Sequence, residues 1–141
     1  MITKLTDQLW ISGADDLSHI EPDMFDVIVN VAHGWSDYET FKHLRNGPLL
    51  LQFDMWDHDY EEVQTPVIKV AVTNILHQLH IGKRVLVHCI GGTSRSVIVC
   101  MAVLMKLKDL DWVEAETFIT SKHGKAFLLN RDLLRVTKEE W

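Results

Sequence analysis

Cys89 and Arg95 stand at the two ends of one short stretch, His88-Cys89-Ile90-Gly91-Gly92-Thr93-Ser94-Arg95-Ser96. Just before it, Val85-Leu86-Val87 is short, apolar and partly β-branched, which suits a buried parallel strand. Just after it, Val97, Cys100, Met101 and Leu104 recur at helical spacing. A strand therefore feeds a helix through a tight, glycine-containing turn. Such a turn aims successive backbone N–H groups into one concavity at the positive end of a helix dipole, a ready site for a phosphate-like dianion. The planar fork of Arg95 can hold two anion oxygens at once. The same donors would stabilise a thiolate on Cys89, drawing its pKa down from the ordinary value of about 8.5. A thiolate beneath a phosphate cradle is a phosphoryl-transfer site that needs no metal. A lone cysteine is more often core filler; the weight lies in Cys89, five intervening residues and Arg95 coming together.

The elements that must position this turn follow from the rest of the chain. Leu9-Trp10-Ile11 reads as a first strand, with a turn at Ser12-Gly13 and a short helix from Asp15 to Ile20, before Pro22. Phe25 to Val31 is a strand rich in β-branched residues. The loop from His33 to Asp37 then falls at the C-terminal edge of a parallel sheet, where ligand clefts form; Trp35 and Tyr38 are there either as cleft wall or as core anchors. Gly47-Pro48 is a turn, and Leu49 to Phe53 a strand running into an acidic, aromatic segment from Asp54 to Tyr60. Thr65-Pro66 predicts a helix start with Pro at its favoured first position. That helix carries Ile68, Ala71, Val72, Ile75 and Leu79 on one face and stops at Gly82. Asp111 and Glu114 are spaced as a capping box for a helix to about Lys122, with Gly124 as its stop. Asn130 is placed to cap a last helix from Arg131 toward Glu140. Strands alternating with helices predict an α/β fold: one domain over residues 1–141, with a central, mostly parallel sheet of about four to five strands and helices on both faces.

Composition narrows the partners. The 141 residues carry a formal charge of −6, which disfavours a broad nucleic-acid or anionic-membrane surface. No apolar run approaches the roughly 20 residues of a membrane span. Residues 1–7 hold no signal-peptide h-region, and two cysteines give no disulfide framework, so a cytoplasmic setting is expected. The eight histidines are scattered except for His77 and His80 on one predicted helix. That pair has no further ligand at metal-site spacing, so neither a metal nor a cofactor is expected. The oligomeric state is not legible.

The run His88-Cys89-x5-Arg95-Ser96, with Gly92 third after the cysteine, resembles the signature of cysteine-dependent protein phosphatases. Its ending, Gly92-Thr93-Ser94-Arg95-Ser96, is similar to the dual-specificity branch. The low-molecular-weight phosphatases and arsenate reductases carry their Cys-x5-Arg loop near the N-terminus, unlike position 89 here. The resemblance implies a compact protein tyrosine phosphatase-like fold. It also implies hydrolysis of phosphate monoesters on phosphoproteins, at phosphotyrosine and at phosphoserine or phosphothreonine, through a cysteinyl-phosphate. The departing oxygen needs a proton, and Asp54, Asp57 and Asp59 compete to supply it. In the family the acid lies about thirty residues before the nucleophile. Asp57, at 32, fits best, Asp59, at 30, is second, and Asp54 is too close to the strand end.

In that reading Ile90, Gly91, Gly92, Thr93, Ser94 and Arg95 hold the equatorial oxygens, and Ser96 hydrogen-bonds the departing sulfur. His88 supports the loop from below and helps depress the Cys89 pKa. Trp35, Trp56, His58 and Tyr60 are candidate substrate contacts. The chain lacks room for the added loops that deepen a cleft around phosphotyrosine alone. Its loop has neither the basic residues typical of the lipid phosphatases nor the His and Asn of the RNA 5′-triphosphatases. The rivals are a non-catalytic phosphoprotein-binding module and a phosphatase for RNA 5′-phosphates, phosphoinositides or nucleotides. Cys100, in the helix after the loop, reads as buried filler rather than as a disulfide partner for an oxidised Cys89.

Overall fold

A computed structural model describes residues 2–21, 23–42, 44, 46–56, 61–92 and 94–123, with the backbone alone for residues 61–65. In chain order the elements are β1 (Thr3–Lys4), β2 (Leu9–Ser12), a 3-10 helix (Ala14–His19), β3 (Val27–Ala32), α1 (Tyr38–Phe41), β4 (Leu49–Met55), α2 (Glu61–His80), β5 (Val85–His88), α3 (Arg95–Lys108) and α4 (Trp112–Lys122). The five strands form one sheet in the order β1-β2-β5-β3-β4. Among the described residues only the β1–β2 pair is antiparallel. The expected α/β architecture is what the chain adopts.

The core explains the order of elements. β3 and β5 are buried along their whole length, as central parallel strands covered on both faces must be. α3 lies on one face of the sheet, with every side chain from Arg95 to Leu104 buried. α2 packs beside it through the predicted stripe Ile68, Ala71, Val72, Ile75 and Leu79, all buried in the same cluster with Ala115 and Ile119 of α4. The opposite face is covered by Leu17 of the 3-10 helix and Phe41 of α1, over Phe25, Ile28 and Leu86. Among the described residues no helix is long and apolar enough to cross a membrane.

Several boundaries differ from the sequence expectation. α2 begins at Glu61, so Pro66 lies inside the helix rather than at its first position. Its missing N–H forfeits one i→i−4 bond in the second turn. β3 starts at Val27 rather than Phe25. The residue before it, Asp26, accepts hydrogen bonds from the Arg84 backbone N–H at 2.8 Å and from its guanidinium at 3.2 Å. That ties the starts of β3 and β5 together, and the Arg84 bonds hold the Asp26 carboxyl below the ordinary carboxylate range. β4 runs on through Asp54 and Met55, which the sequence reading places in the following loop. β1 and α1, of two and four residues, have no counterpart in that reading. Gly124 and the expected last helix lie outside the described residues.

Two punctuation marks hold as read. Gly82 ends α2 at φ +85°, a backbone state that favours glycine. At α4, Asp111 Oδ1 accepts from the Glu114 N–H at 2.8 Å while the Asp111 N–H donates to Glu114 Oε1 at 3.0 Å. Removing that reciprocal cap by Asp111→Ala is expected to cost about 1 kcal/mol of stability. Urea unfolding should show the midpoint falling with an unchanged m-value.

Candidate active site

β5 sits between β2 and β3, so the loop that leaves it emerges at the middle of the sheet's C-terminal edge. Cys89 follows the last residue of β5 and is 3 % exposed. Its sulfur lies 3.2 Å from the Ser96 Oγ in the first turn of α3. Burial acts to push the thiol up. The Ser96 hydroxyl and N–H, the Gly92 N–H and the charge of Arg95 outweigh it, and the Cys89 thiol sits below its ordinary value. Arg95 is itself buried. It donates from Nη1 to the Met55 carbonyl at 3.0 Å, so its guanidinium is anchored at the end of β4.

The loop is set by backbone stacking. Gly92 has φ +70°, and a Cβ there would lie 2.7 Å from the Gly13 nitrogen and 2.9 Å from the Ser12 carbonyl carbon. A Cβ on Gly13 would in turn meet the Ile90 carbonyl oxygen at 2.9 Å. The Ala14 N–H donates to that same oxygen at 2.8 Å. The turn after β2 and the anion loop therefore lie backbone on backbone, and glycine at both positions permits it. His123, buried at the C-terminal end of α4, closes the loop from the other side. A carbonyl only accepts, so Nε2–H donates to the Gly92 oxygen at 3.0 Å, while Nδ1 lies in hydrogen-bond contact with the Thr3 hydroxyl at 2.7 Å.

A polar row crosses four strands just below the loop. Ser12 of β2 and Asn30 of β3 are both in register with His88 of β5, and Gln52 of β4 is in register with Asn30. Asn30 Nδ2 donates to the Trp35 carbonyl and to Gln52 Oε1, both at 2.7 Å, folding residues 33–37 onto the strand ends. His88 lies 2.9 Å through Nδ1 from the Cys89 carbonyl and 2.8 Å through Nε2 from Asp37 Oδ2.

The structure thus gathers Cys89, Ser96, Arg95 and His88, with Gly91, Gly92 and Ser94, as the sequence pattern requires. Ile90, Trp35 and Trp56 are exposed. Trp56 stacks on His33 with ring centroids 3.6 Å apart, and His33 Nδ1 is 4.0 Å from Asp54 Oδ2. Tyr38 is exposed, so it is not a core anchor. Asp54 lies within β4, its carboxylate accepting from Gln52 at 2.8 Å. Asp57, His58, Asp59, Tyr60 and Thr93 lie outside the described residues. Cys100 is fully buried, and its thiol is pushed far up by burial and by neighbouring Cys89. The sequence reading misses Gly13, Asp37 and His123 as parts of the site. Gly13 alone had a signal, as a glycine just past a strand that ends beside β5.

Overpacking the stacked backbones should show in anion binding. Gly13→Ala is expected to displace the Ile90 peptide at a cost of about 1–3 kcal/mol. That would weaken vanadate inhibition roughly tenfold or more while leaving the far-UV circular dichroism unchanged.

Comparison with known proteins agrees with this geometry. Residues 9–139 match the family model "Dual specificity phosphatase, catalytic domain". Dual specificity protein phosphatase 18 of Mus musculus is 34% identical over 74 residues, which cover 45% of this chain and 39% of that protein. The match thus spans well under half of the curated relative. Two solved structures share the fold. Tk-PTP in its active form has TM-score 0.78 and 23% identity, covering 98% of this chain and 94% of that one. Human DUSP28 has TM-score 0.79 and 19% identity, covering 98% and 90%. With the matched region running from β2 through the Cys89 loop and beyond α4, the chain belongs to the dual specificity phosphatase catalytic-domain family.

Proposed function

We propose that this protein hydrolyses phosphate monoesters on phosphoproteins, at phosphotyrosine and at phosphoserine or phosphothreonine, through a cysteinyl-phosphate intermediate. The observation that carries the reading is a buried Cys89, its sulfur 3.2 Å from the Ser96 Oγ, opening a loop that ends at the buried Arg95. Family membership and the exposed aromatic residues Trp35 and Trp56 at the same sheet edge support it.

In the first step the Cys89 thiolate attacks phosphorus in line. The phosphorus–oxygen ester bond breaks, and the Asp57 carboxyl gives its proton to the leaving oxygen. In the second, Asp57 takes a proton from water and the resulting nucleophile attacks the same phosphorus. The sulfur–phosphorus bond breaks, inorganic phosphate leaves, and the thiolate returns to its Ser96 hydrogen bond. Arg95 and the amides of residues 90–95 hold the three equatorial oxygens through both steps, where their fixed dipoles need no reorganisation. Asp57 enters from its spacing to Cys89 in the sequence. Trp35, Trp56, His58 and Tyr60 are the proposed substrate contacts. The free cysteines Cys89 and Cys100 suit a reducing compartment such as the cytoplasm.

Cys89→Ser should abolish turnover of phosphopeptides while their binding survives, and unchanged turnover would refute the nucleophile. Asp57→Ala is expected to lower kcat by about 10² or more, as for a general acid. A larger effect from Asp59→Ala would move the role there. A substrate panel decides the class: faster hydrolysis of a phosphoinositide, a nucleotide or an RNA 5′-phosphate than of phosphopeptides would overturn the protein assignment.

A further inference from the structure

We propose that Asp37 is a positioning residue of this site: it holds His88 with a proton on each ring nitrogen, so that one N–H fixes the Cys89 peptide and positive charge stands behind the sulfur. The inference rests on the reading of Cys89 as the nucleophile.

The geometry is specific. His88 is 0 % exposed and Asp37 4 %. The ring nitrogens lie 2.9 Å from the Cys89 carbonyl and 2.8 Å from Asp37 Oδ2. A carbonyl and a carboxylate both only accept, so the ring donates at both nitrogens. Asp37 also departs from the role its position suggests. It is the residue before α1, and its backbone carbonyl takes the N–H of Thr40 and of Phe41. An aspartate there ordinarily turns its carboxylate onto the first-turn N–H groups. Here the side chain makes no such bond. One oxygen goes to His88, and the other is buried with no hydrogen-bond partner among the described residues. A carboxylate taken out of water in this way needs a charged partner to offset the cost.

The loop is built to deliver it. Asn30 grips the Trp35 carbonyl at 2.7 Å, two residues before Asp37. The other neighbours of His88 in the cross-strand row, Ser12 and Asn30, are uncharged. The groups facing the Cys89 sulfur from α3 are Arg95, Ser96 and, deeper, Cys100, with the Gly92 N–H from the loop. Among the described residues, Asp37 is therefore the carboxylate that bears on the thiolate through His88.

The sign of one substitution tests this. Asp37→Asn is nearly isosteric and preserves both hydrogen bonds: the new amide donates to Nε2, and a neutral His88 keeps its Nδ1–H on the Cys89 carbonyl. Acting through His88, the change removes positive charge behind the sulfur. The pH midpoint of Cys89 alkylation by iodoacetamide, read by mass spectrometry, should then rise by about half a unit or more. The acid limb of kcat/KM should move with it. A bare carboxylate acting directly on the thiolate predicts a fall in the midpoint. A purely structural role predicts an unmoved midpoint with a lower Tm. Either result overturns the proposal. Nitrogen-15 NMR of the unmodified protein gives a second reading that needs no variant: two ring N–H signals on His88 are expected, and one would refute it. The alkylation and NMR readouts require no substrate, so a protein that turns over no phosphopeptide yet shows the shift would sink the proposed function and leave Asp37 its role.

Discussion

A sulfur that is nearly out of contact with water does not ionise by default. Desolvation favours the neutral thiol, and in this molecule burial is the largest single influence on Cys89. The thiol nonetheless lies below its ordinary value because donors offset the burial: the Ser96 hydroxyl at 3.2 Å, two backbone N–H groups and the charge of Arg95. Hydrogen bonds to a charged group contribute roughly 1.5–3 kcal/mol each, so losing any one of them matters. The fold can be understood as what keeps these donors in place. α3 starts within the donor set and is buried through Leu104, so Arg95 and Ser96 cannot drift without disturbing the core.

Strand order turns this local arrangement into a site. Because β5 lies between β2 and β3, the loop after it is flanked by the chain leaving both neighbours. From the β2 side come Gly13, close enough to exclude a Cβ, and the Ala14 N–H on the Ile90 oxygen. From the β3 side come residues 33–37, drawn down by Asn30 and ending at Asp37. One strand further out, β4 contributes the Met55 carbonyl that anchors Arg95. His123 reaches across from the end of α4 to the Gly92 oxygen. The C-terminal edge of a parallel sheet is where such convergence is possible, since every strand there ends in the same direction.

What the sequence made legible follows contact separation. The Cys89–Ser96 stretch is contiguous, so residue types and spacing alone convey strand, anion turn and helix. The same holds for the α2 stripe and the Asp111–Glu114 cap, where partners lie within a few turns. Asp37 and His123 meet the loop across 51 and 31 residues. In the sequence Asp37 looks like any loop aspartate and His123 like any histidine near a helix end. The two-residue β1 and four-residue α1 are too short to show a period. Pro66 misled for a physical reason: proline is favoured at a first helical position, but one lost hydrogen bond in an early turn is tolerated when the helix buries a long apolar face.

Cys100 is the contrasting thiol of the same core. It stands eleven residues beyond Cys89, on the buried helix that the loop feeds, and is at least as secluded from water. Yet its thiol is pushed the other way, by desolvation and by the neighbouring Cys89. Two cysteines in one core, both buried, thus differ in the sign of their response. Burial therefore cannot be what lowers the Cys89 thiol; the difference is the set of donors that the turn and the first residues of α3 aim at one sulfur and not at the other. Cys100 remains a small apolar packing group within the α2–α3 core.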